Sequence, residues 1–234
     1  MKFPSVIRFM VLGLTIMGAP ALLPVMTGSA QAASQSVPTE IHINAAIPAT
    51  VLVQSPADTH TELQIICLFE SVPANTLRGS LNEMNEKLKG LLSIIRSPDL
   101  FRGLLGETLL INPPAGSLFA KRLMVIGLGD AQTYAPQRME LVGSIVYREA
   151  NRLGIEHPFF APTVLDGGVT KFNSGETAEH FFAGFLRAAR TEKMLRDVGA
   201  SAEQTIQDIT FLAGPSHAVD TQHGLERAVS NPER

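Results

Sequence analysis

A single cysteine, Cys67, in 234 residues rules out an intramolecular disulfide, so nothing covalent staples this chain. It lies within an apolar run, Leu63-Gln64-Ile65-Ile66-Cys67-Leu68-Phe69, and reads as a small buried hydrophobe on a strand. No cation or helix start stands beside it to activate the thiol. Cationic surplus is missing too. There are 19 Lys and Arg against 22 Asp and Glu, and charged residues make up only 18% of the chain. No broad basic face can neutralise phosphates, so no nucleic-acid partner is expected. The six histidines (His42, His60, His157, His180, His217 and His223) include no i, i+4 pair and no His-Glu-x-x-His. A catalytic zinc typically uses about three protein ligands on rigid elements. Neither a metal site nor a cofactor is read from this pattern. Gly-x-Ser-x-Gly is also absent, which removes the usual strand-to-helix nucleophile turn.

Only one apolar stretch approaches the roughly 20 residues of a bilayer crossing. It covers residues 9–26, follows Lys2 and Arg8, and is followed by Ala30-Gln31-Ala32. A positive start, an apolar run and small residues before a cut are the pattern of a secretory signal peptide. Pro20, Pro24, Gly13 and Gly18 weaken the alternative of a retained spanning helix. Residues 1–32 are therefore expected to be removed, with no membrane segment left and the product in the periplasm or outside the cell. Cleavage would leave 202 residues. It would also take the net charge from −3 to −5, because Lys2 and Arg8 leave and no acid goes with them. That length suits one domain with its own core, and 45% apolar residues exclude a wholly disordered chain.

Residues 33–38 form a polar leader. Strands are predicted over 40–44 and 63–69, the second an apolar run broken only by Gln64, as when both faces are covered. Leu81, Met84, Leu88, Leu91, Leu92 and Ile95 recur at helical spacing. Apolar runs at 107–111 and 122–128 flank the break Pro113-Pro114-Ala115-Gly116. Leu141, Val142, Ile145, Val146, Ala150 and Leu153 predict a second helix closed by Gly154. A strand follows over 159–165. Ser174 then stands as a cap with Glu176 in the first turn. Ala178, Phe181, Phe182, Phe185, Leu186 and Ala189 make the clearest amphipathic stripe. A strand over 205–212 and a helix over 216–229 end the chain. Strands alternating with helices predict a three-layer α/β sandwich, a mostly parallel central sheet with helices on both faces. The main unit is placed at 39–190, with 191–234 completing it by a strand and a helix.

Two glycine loops end predicted strands: Val125-Ile126-Gly127-Leu128-Gly129-Asp130 and Val164-Leu165-Asp166-Gly167-Gly168. In an open parallel sheet ligands bind at the carboxyl ends of the strands. Gly127, Gly129, Asp130, Asp166, Gly167 and Gly168 are thus the candidate ligand-binding residues. The first loop is not a dinucleotide fingerprint, since Gln132 stands where the third glycine belongs.

Longer segments carry a family resemblance. They are Leu63 to Glu70, Phe101-Arg102-Gly103, Gly106-Glu107-Thr108-Leu109-Leu110-Ile111, Gly116 to Gly129 with its Arg122-Leu123-Met124-Val125-Ile126-Gly127-Leu128-Gly129 strand, and the helix beginning Gly175-Glu176-Thr177-Ala178-Glu179. Together this order resembles the amino-terminal domain of the two-zinc leucyl aminopeptidases over roughly residues 40–190. The resemblance implies a macro-like α/β sandwich. In that family a larger carboxy-terminal domain carries the zinc-binding lysine and aspartates and an Asn-Thr-Asp-Ala-Glu-Gly-Arg motif. That motif is absent here, and only 44 residues follow Arg190. Asn44-Ala45-Ala46 matches the start of a macro-domain binding loop, but Ile47-Pro48-Ala49-Thr50 replace its glycines, and the match is read as chance. The expectation is a secreted, non-catalytic domain that binds a small ligand or a protein partner, such as a separate catalytic subunit. The alternatives are a metal-dependent aminopeptidase and an ADP-ribose-type nucleotide binder, the latter by fold analogy.

Overall fold

The computed structural model describes residues 40–70, 77–96 and 100–231, and the signal peptide and polar leader predicted over 1–38 lie outside the described residues. The continuous apolar runs become interior strands. In β3 (Gln64–Leu68) and β5 (Leu123–Gly127) every residue is buried, as a parallel strand covered on both faces requires. With β1 (Glu40–Ile43), β2 (Ala49–Val53), β4 (Thr108–Ile111), β6 (Phe159–Ala161) and β7 (Ile209–Ala213) they make one sheet in the order β1-β2-β7-β6-β3-β5-β4. The run from β2 to β5 is parallel, and β1 and β4 are antiparallel edges. Gln64 pairs with both Leu123 and Phe159. The carboxyl ends of β3, β5 and β6 therefore line one edge of the sheet.

Side-chain alternation along the strands feeds two cores. Ile65, Cys67, Met124 and Ile126 point to the side of α3 (Arg138–Arg152), α4 (Ser174–Asp197) and α5 (Ala218–Ser230). Ile66, Leu68, Leu123 and Val125 meet Leu81 and Met84 of α1 (Gly79–Lys87) and Leu92 of α2 (Leu91–Ile95). This is the three-layer sandwich the alternation predicted. Phe181 of α4 stacks on Phe160 at 3.9 Å between centroids and meets Phe211 edge-on at 5.0 Å. Phe182, Phe185 and Leu186 are buried beside it.

Several details differ from the sequence reading, each for a local reason. The stripe over 81–95 is two helices, because Lys89 and Gly90 take φ of 55° and 84° and turn the chain between them. The α3 face is rotated: Met139 and Tyr147 are buried, while Leu141 is 45% exposed. The cap of α4 is Asn173, whose side chain accepts from the Glu176 N–H at 2.8 Å while the Glu176 carboxylate accepts from the Asn173 N–H at 3.3 Å. Ser174 is already helical, so this is a capping box set one residue earlier. Strand β2 was missed. The strand of the final segment, β7, lies between β2 and β6 and so completes the sheet as expected, while position 190, the expected end of the main unit, falls inside α4.

Strand β6 stops at Ala161 because Pro162 has no N–H to continue the ladder. Thr163 takes over with its side chain. Its Oγ1 accepts from the Cys67 N–H at 3.0 Å and donates to Cys67 O at 2.6 Å. Burial pushes the Cys67 thiol up. No helix among the described residues is long and apolar enough to cross a membrane.

Candidate functional site

Three strand ends and the loops that leave them build the crevice. At the end of β5 both glycines are buried and their backbone groups are already engaged. The Gly127 N–H donates to Glu107 O at 2.8 Å, and Gly127 O accepts from the Gly106 N–H at 3.0 Å. The Gly129 N–H donates to Gly103 O at 2.9 Å, and Gly129 O accepts from the Glu70 N–H at 3.0 Å. A Cβ on Gly127 would lie 2.0 Å from Leu104 O. Glycine is needed there so that the chain's own 103–107 segment can cross the strand end. The Glu107 carboxylate holds that segment by accepting from the N–H groups of Arg102 (3.3 Å) and Leu104 (3.0 Å). Neither glycine amide is left to cradle a ligand.

Half-buried Asp130 accepts from the Gln132 N–H at 2.8 Å, an Asx turn. Arg138 of α3 reaches back and donates to Leu128 O and Asp130 O, each at 3.0 Å. It fixes the loop from the helix side.

The loop after β6 is also closed on itself. The Gly167 N–H donates to Thr163 O, the Gly168 N–H to Leu165 O and the Val169 N–H to Val164 O, at 3.0, 2.9 and 3.2 Å. A Cβ on Gly167 would lie 2.5 Å from the Phe69 ring, so this glycine makes room for the residue that ends β3. Gly168 is exposed with φ of 92°. Asp166 leans the other way. Its carboxylate accepts from the Ser80 hydroxyl at the start of α1. Its carbonyl accepts from the Arg78 N–H at 3.2 Å. Gly79 has φ of 49°, and a Cβ on it would collide with Asp166 Oδ1. Asp130 and Asp166 thus sit in separate bonding networks on different walls. Among the described residues, no three His, Cys, Asp or Glu side chains form a group that could hold a metal ion.

One crevice residue escaped the sequence reading. Tyr134, in the loop between β5 and α3, is 1% exposed, and its hydroxyl has no hydrogen-bond partner among the described residues. The ring packs edge-on against Phe69 at 5.4 Å and Phe172 at 5.8 Å, joining all three strand-end loops. Burial pushes its phenol up to about 12, against a smaller opposing influence from Thr177. A lone tyrosine seven residues past the end of β5 carries no motif, so only the packing reveals it.

Residues 65–207 match the sequence profile of the cytosol aminopeptidase family, N-terminal domain. No curated protein sequence matches the chain. Among solved structures, the Oceanobacillus iheyensis macrodomain with MES bound is similar at a TM-score of 0.55 and 14% identity, covering 83% of this chain and 100% of that one. The same macrodomain with ADP matches at a TM-score of 0.54 and 14% identity, over 84% of this chain and 100% of that one. A tomato leucine aminopeptidase mutant matches at a TM-score of 0.54 and 17% identity, over 80% of this chain but 37% of that one. At these identities the structural matches establish the fold.

Proposed function

Because this chain belongs to the family of cytosol aminopeptidase N-terminal domains, we propose that it is an exported, non-catalytic domain that binds a protein partner, a catalytic aminopeptidase subunit on another chain. The observation that carries this reading is the closure of the strand ends. The amides of Gly127, Gly129, Gly167 and Gly168 all donate to the chain's own carbonyls, so the crevice offers no glycine cradle to a small anion. Two further points favour a protein. The tomato enzyme's chain is covered for only 37% of its length, so there this fold accompanies a larger remainder. Leu104, Leu105, Leu110 and Leu141 are 39–45% exposed, with Leu105 beside Gly129 and Leu141 beside Gly106. Grouped exposed leucines are the usual material of a protein contact.

Catalysis by the chain itself is disfavoured by its chemistry. Two-metal hydrolysis needs a convergent set of ligands and an open water position. The family's aspartate- and glutamate-bearing motif is absent from the sequence, and Asp130 and Asp166 are committed to a turn and a helix start.

The test mixes the chain from residue 33 onward with a leucyl aminopeptidase catalytic domain expressed without its own amino-terminal domain. Co-elution on size-exclusion chromatography, weakened by Leu105→Asp or Leu141→Asp, is the expected result. The chain alone should not hydrolyse leucine amides with added zinc or manganese. Metal-dependent turnover that survives repurification and disappears in Asp130→Ala would make the chain a peptidase instead. Export is tested by sequencing the amino terminus of the secreted form. Ala33 or Ser34 is expected, and Met1 or Lys2 would reject it. A second reading, binding of ADP-ribose-type nucleotides, draws on the macrodomain fold, one such structure being described with ADP. A thermal shift with ADP and ADP-ribose tests it.

A further inference from the structure

We propose that two copies of this chain pair through the free edge of β4, strand against strand and antiparallel about a two-fold axis, so that one sheet runs through both. The inference goes beyond the reading above and does not rest on it.

A sheet edge presents a row of unpaired N–H and C=O groups, and the same edge of a second copy matches that row group for group. Among the described residues β4 pairs with β5 alone. Thr108 stands opposite Ile126, which puts Glu107 opposite Gly127, and the Gly127 N–H donates to Glu107 O. In an antiparallel ladder every second residue turns its backbone groups toward the neighbouring strand. Those of Leu109 and Ile111 therefore face β5, and those of Thr108 and Leu110 face away from it. The two edges of the sheet are guarded differently. Strand β1 exposes Glu40 and His42, polar side chains that discourage pairing with another chain. Strand β4 reads Thr-Leu-Leu-Ile, with neither a charge nor a proline.

The side chains single out the same edge. Leu110 stands opposite Met124, whose side chain points to the α3 layer. Leu110 thus shares that face with Leu141 of α3, the two being 42% and 45% exposed. Leu109 and Ile111 turn to the α1 and α2 layer and are half-buried there. With the two-fold axis at Leu109, Thr108 of each copy faces Leu110 of the other, and these pairs engage every outward-facing group of both strands. The two Leu110 side chains become diagonal neighbours on the α3 face, about 7–8 Å apart. Glu107 faces Ile111 of the other copy, so no like charges meet across the seam. Backbone groups, charge and apolar side chains are all self-complementary under this axis, and that selects a second copy as the occupant of the edge.

The experiment is sedimentation velocity on the chain from residue 33 onward, which holds every described element, over about 1 μM to 1 mM. A four-residue strand and its leucines make a small interface, so wild type should pass reversibly from monomer to dimer within this range. Leu110→Lys puts a charge on the edge, and Leu110→Pro removes an N–H that β4 does not use in its own ladder. Each should weaken dimerisation about tenfold or more while far-ultraviolet circular dichroism is unchanged. Leu105 and Leu141 are left intact, because they belong to the surface assigned to the catalytic subunit. A second measurement reads the register. The axis sets Leu109 against its own copy at a non-hydrogen-bonded position, with Cα atoms about 4.5 Å apart, within reach of a disulfide. Mild oxidation should therefore cross-link Leu109→Cys into a covalent dimer and leave Val219→Cys, at a 57% exposed position on α5, monomeric. Cys67 is buried and does not compete. This measurement decides the matter if the Leu110 variants do not fold. A wild-type chain that stays monomeric at every concentration would overturn the proposal. So would a dimer that both Leu110 substitutions leave intact, or equal cross-linking of the two cysteine variants. No catalytic subunit is present, so a failure of co-elution and a failure of strand pairing are read separately.

Discussion

Helix α4 packs against α3 through two facing glycines, and adding a single methyl group there tests the arrangement. A Cβ on Gly184 would lie 2.0 Å from Glu140 O and 2.6 Å from Glu140 Cα, while one on Gly143 would lie 2.0 Å from Phe181 O. Ser144 Oγ seals the crossing by donating to Gly184 O at 3.0 Å. Every obstructing atom is helix backbone, so no rotamer change relieves the clash. Ordinary contact begins at 3.4 Å, so Gly184→Ala must part the helices by about 1.4 Å. Parting them lifts Phe181 and Phe185 from their places against Phe160 and Tyr147. Overpacking of this kind costs about 1–3 kcal/mol, and rigid backbone puts this case near the top. Alanine's better helix propensity returns up to about 1 kcal/mol. The expected net loss is about 2 kcal/mol, or a melting temperature lower by roughly 4–8 °C for a domain of this size. Urea unfolding followed by far-ultraviolet circular dichroism measures it. Gly143→Ala should behave alike, and the double variant should cost less than the sum, because one separation relieves both clashes. A Gly184→Ala chain as stable as wild type, or more stable, would refute the crossing, since propensity alone predicts that gain.

Phe185→Ala empties a fully buried site and should cost about 3–5 kcal/mol in the same assay; a loss under about 1 kcal/mol would mean that this face of α4 is not buried. Tyr134→Phe removes a buried hydroxyl that has no partner among the described residues, so stability should hold or rise. In spectrophotometric titration of the wild type, the Tyr134 phenol, pushed up to about 12, should ionise only at that alkaline extreme, and the substitution should abolish this step. Burial pushes the Glu140 carboxyl up, but hydrogen bonds from Arg187 (2.5 Å) and His180 (2.9 Å) outweigh it and hold the group below its ordinary value. A depressed carboxyl contributes stability above its unfolded value and loses it as pH falls through the folded one. Unfolding free energy should therefore fall below about pH 4.5, and Glu140→Gln should flatten that acid limb.

Burial is written locally in the chain, and that is why the interior elements could be read from it. Residues 65–69 and 123–128 carry no polar side chain because both faces of β3 and β5 are covered. The Phe181, Phe182, Phe185 and Leu186 stripe declared the buried face of α4, because a 3.6-residue period brings those positions together whatever lies opposite. The position of the candidate loops at strand ends followed from the same runs. What those loops do did not follow. Gly127-Leu128-Gly129 looks the same whether a ligand or the chain's own backbone comes close, and only the fold brings residues 103–107 to that spot. Asp166 is separated from Ser80 by 86 positions, and nothing near either residue foretells their bond. Strand β2 was missed because its five residues follow Pro48 without clear alternation, and its pairing with β7 comes from the far end of the chain. Sequence periodicity reports whether a residue will be buried. Which residue it meets is decided by sheet order and helix crossing, and these depend on contacts spread across the whole chain.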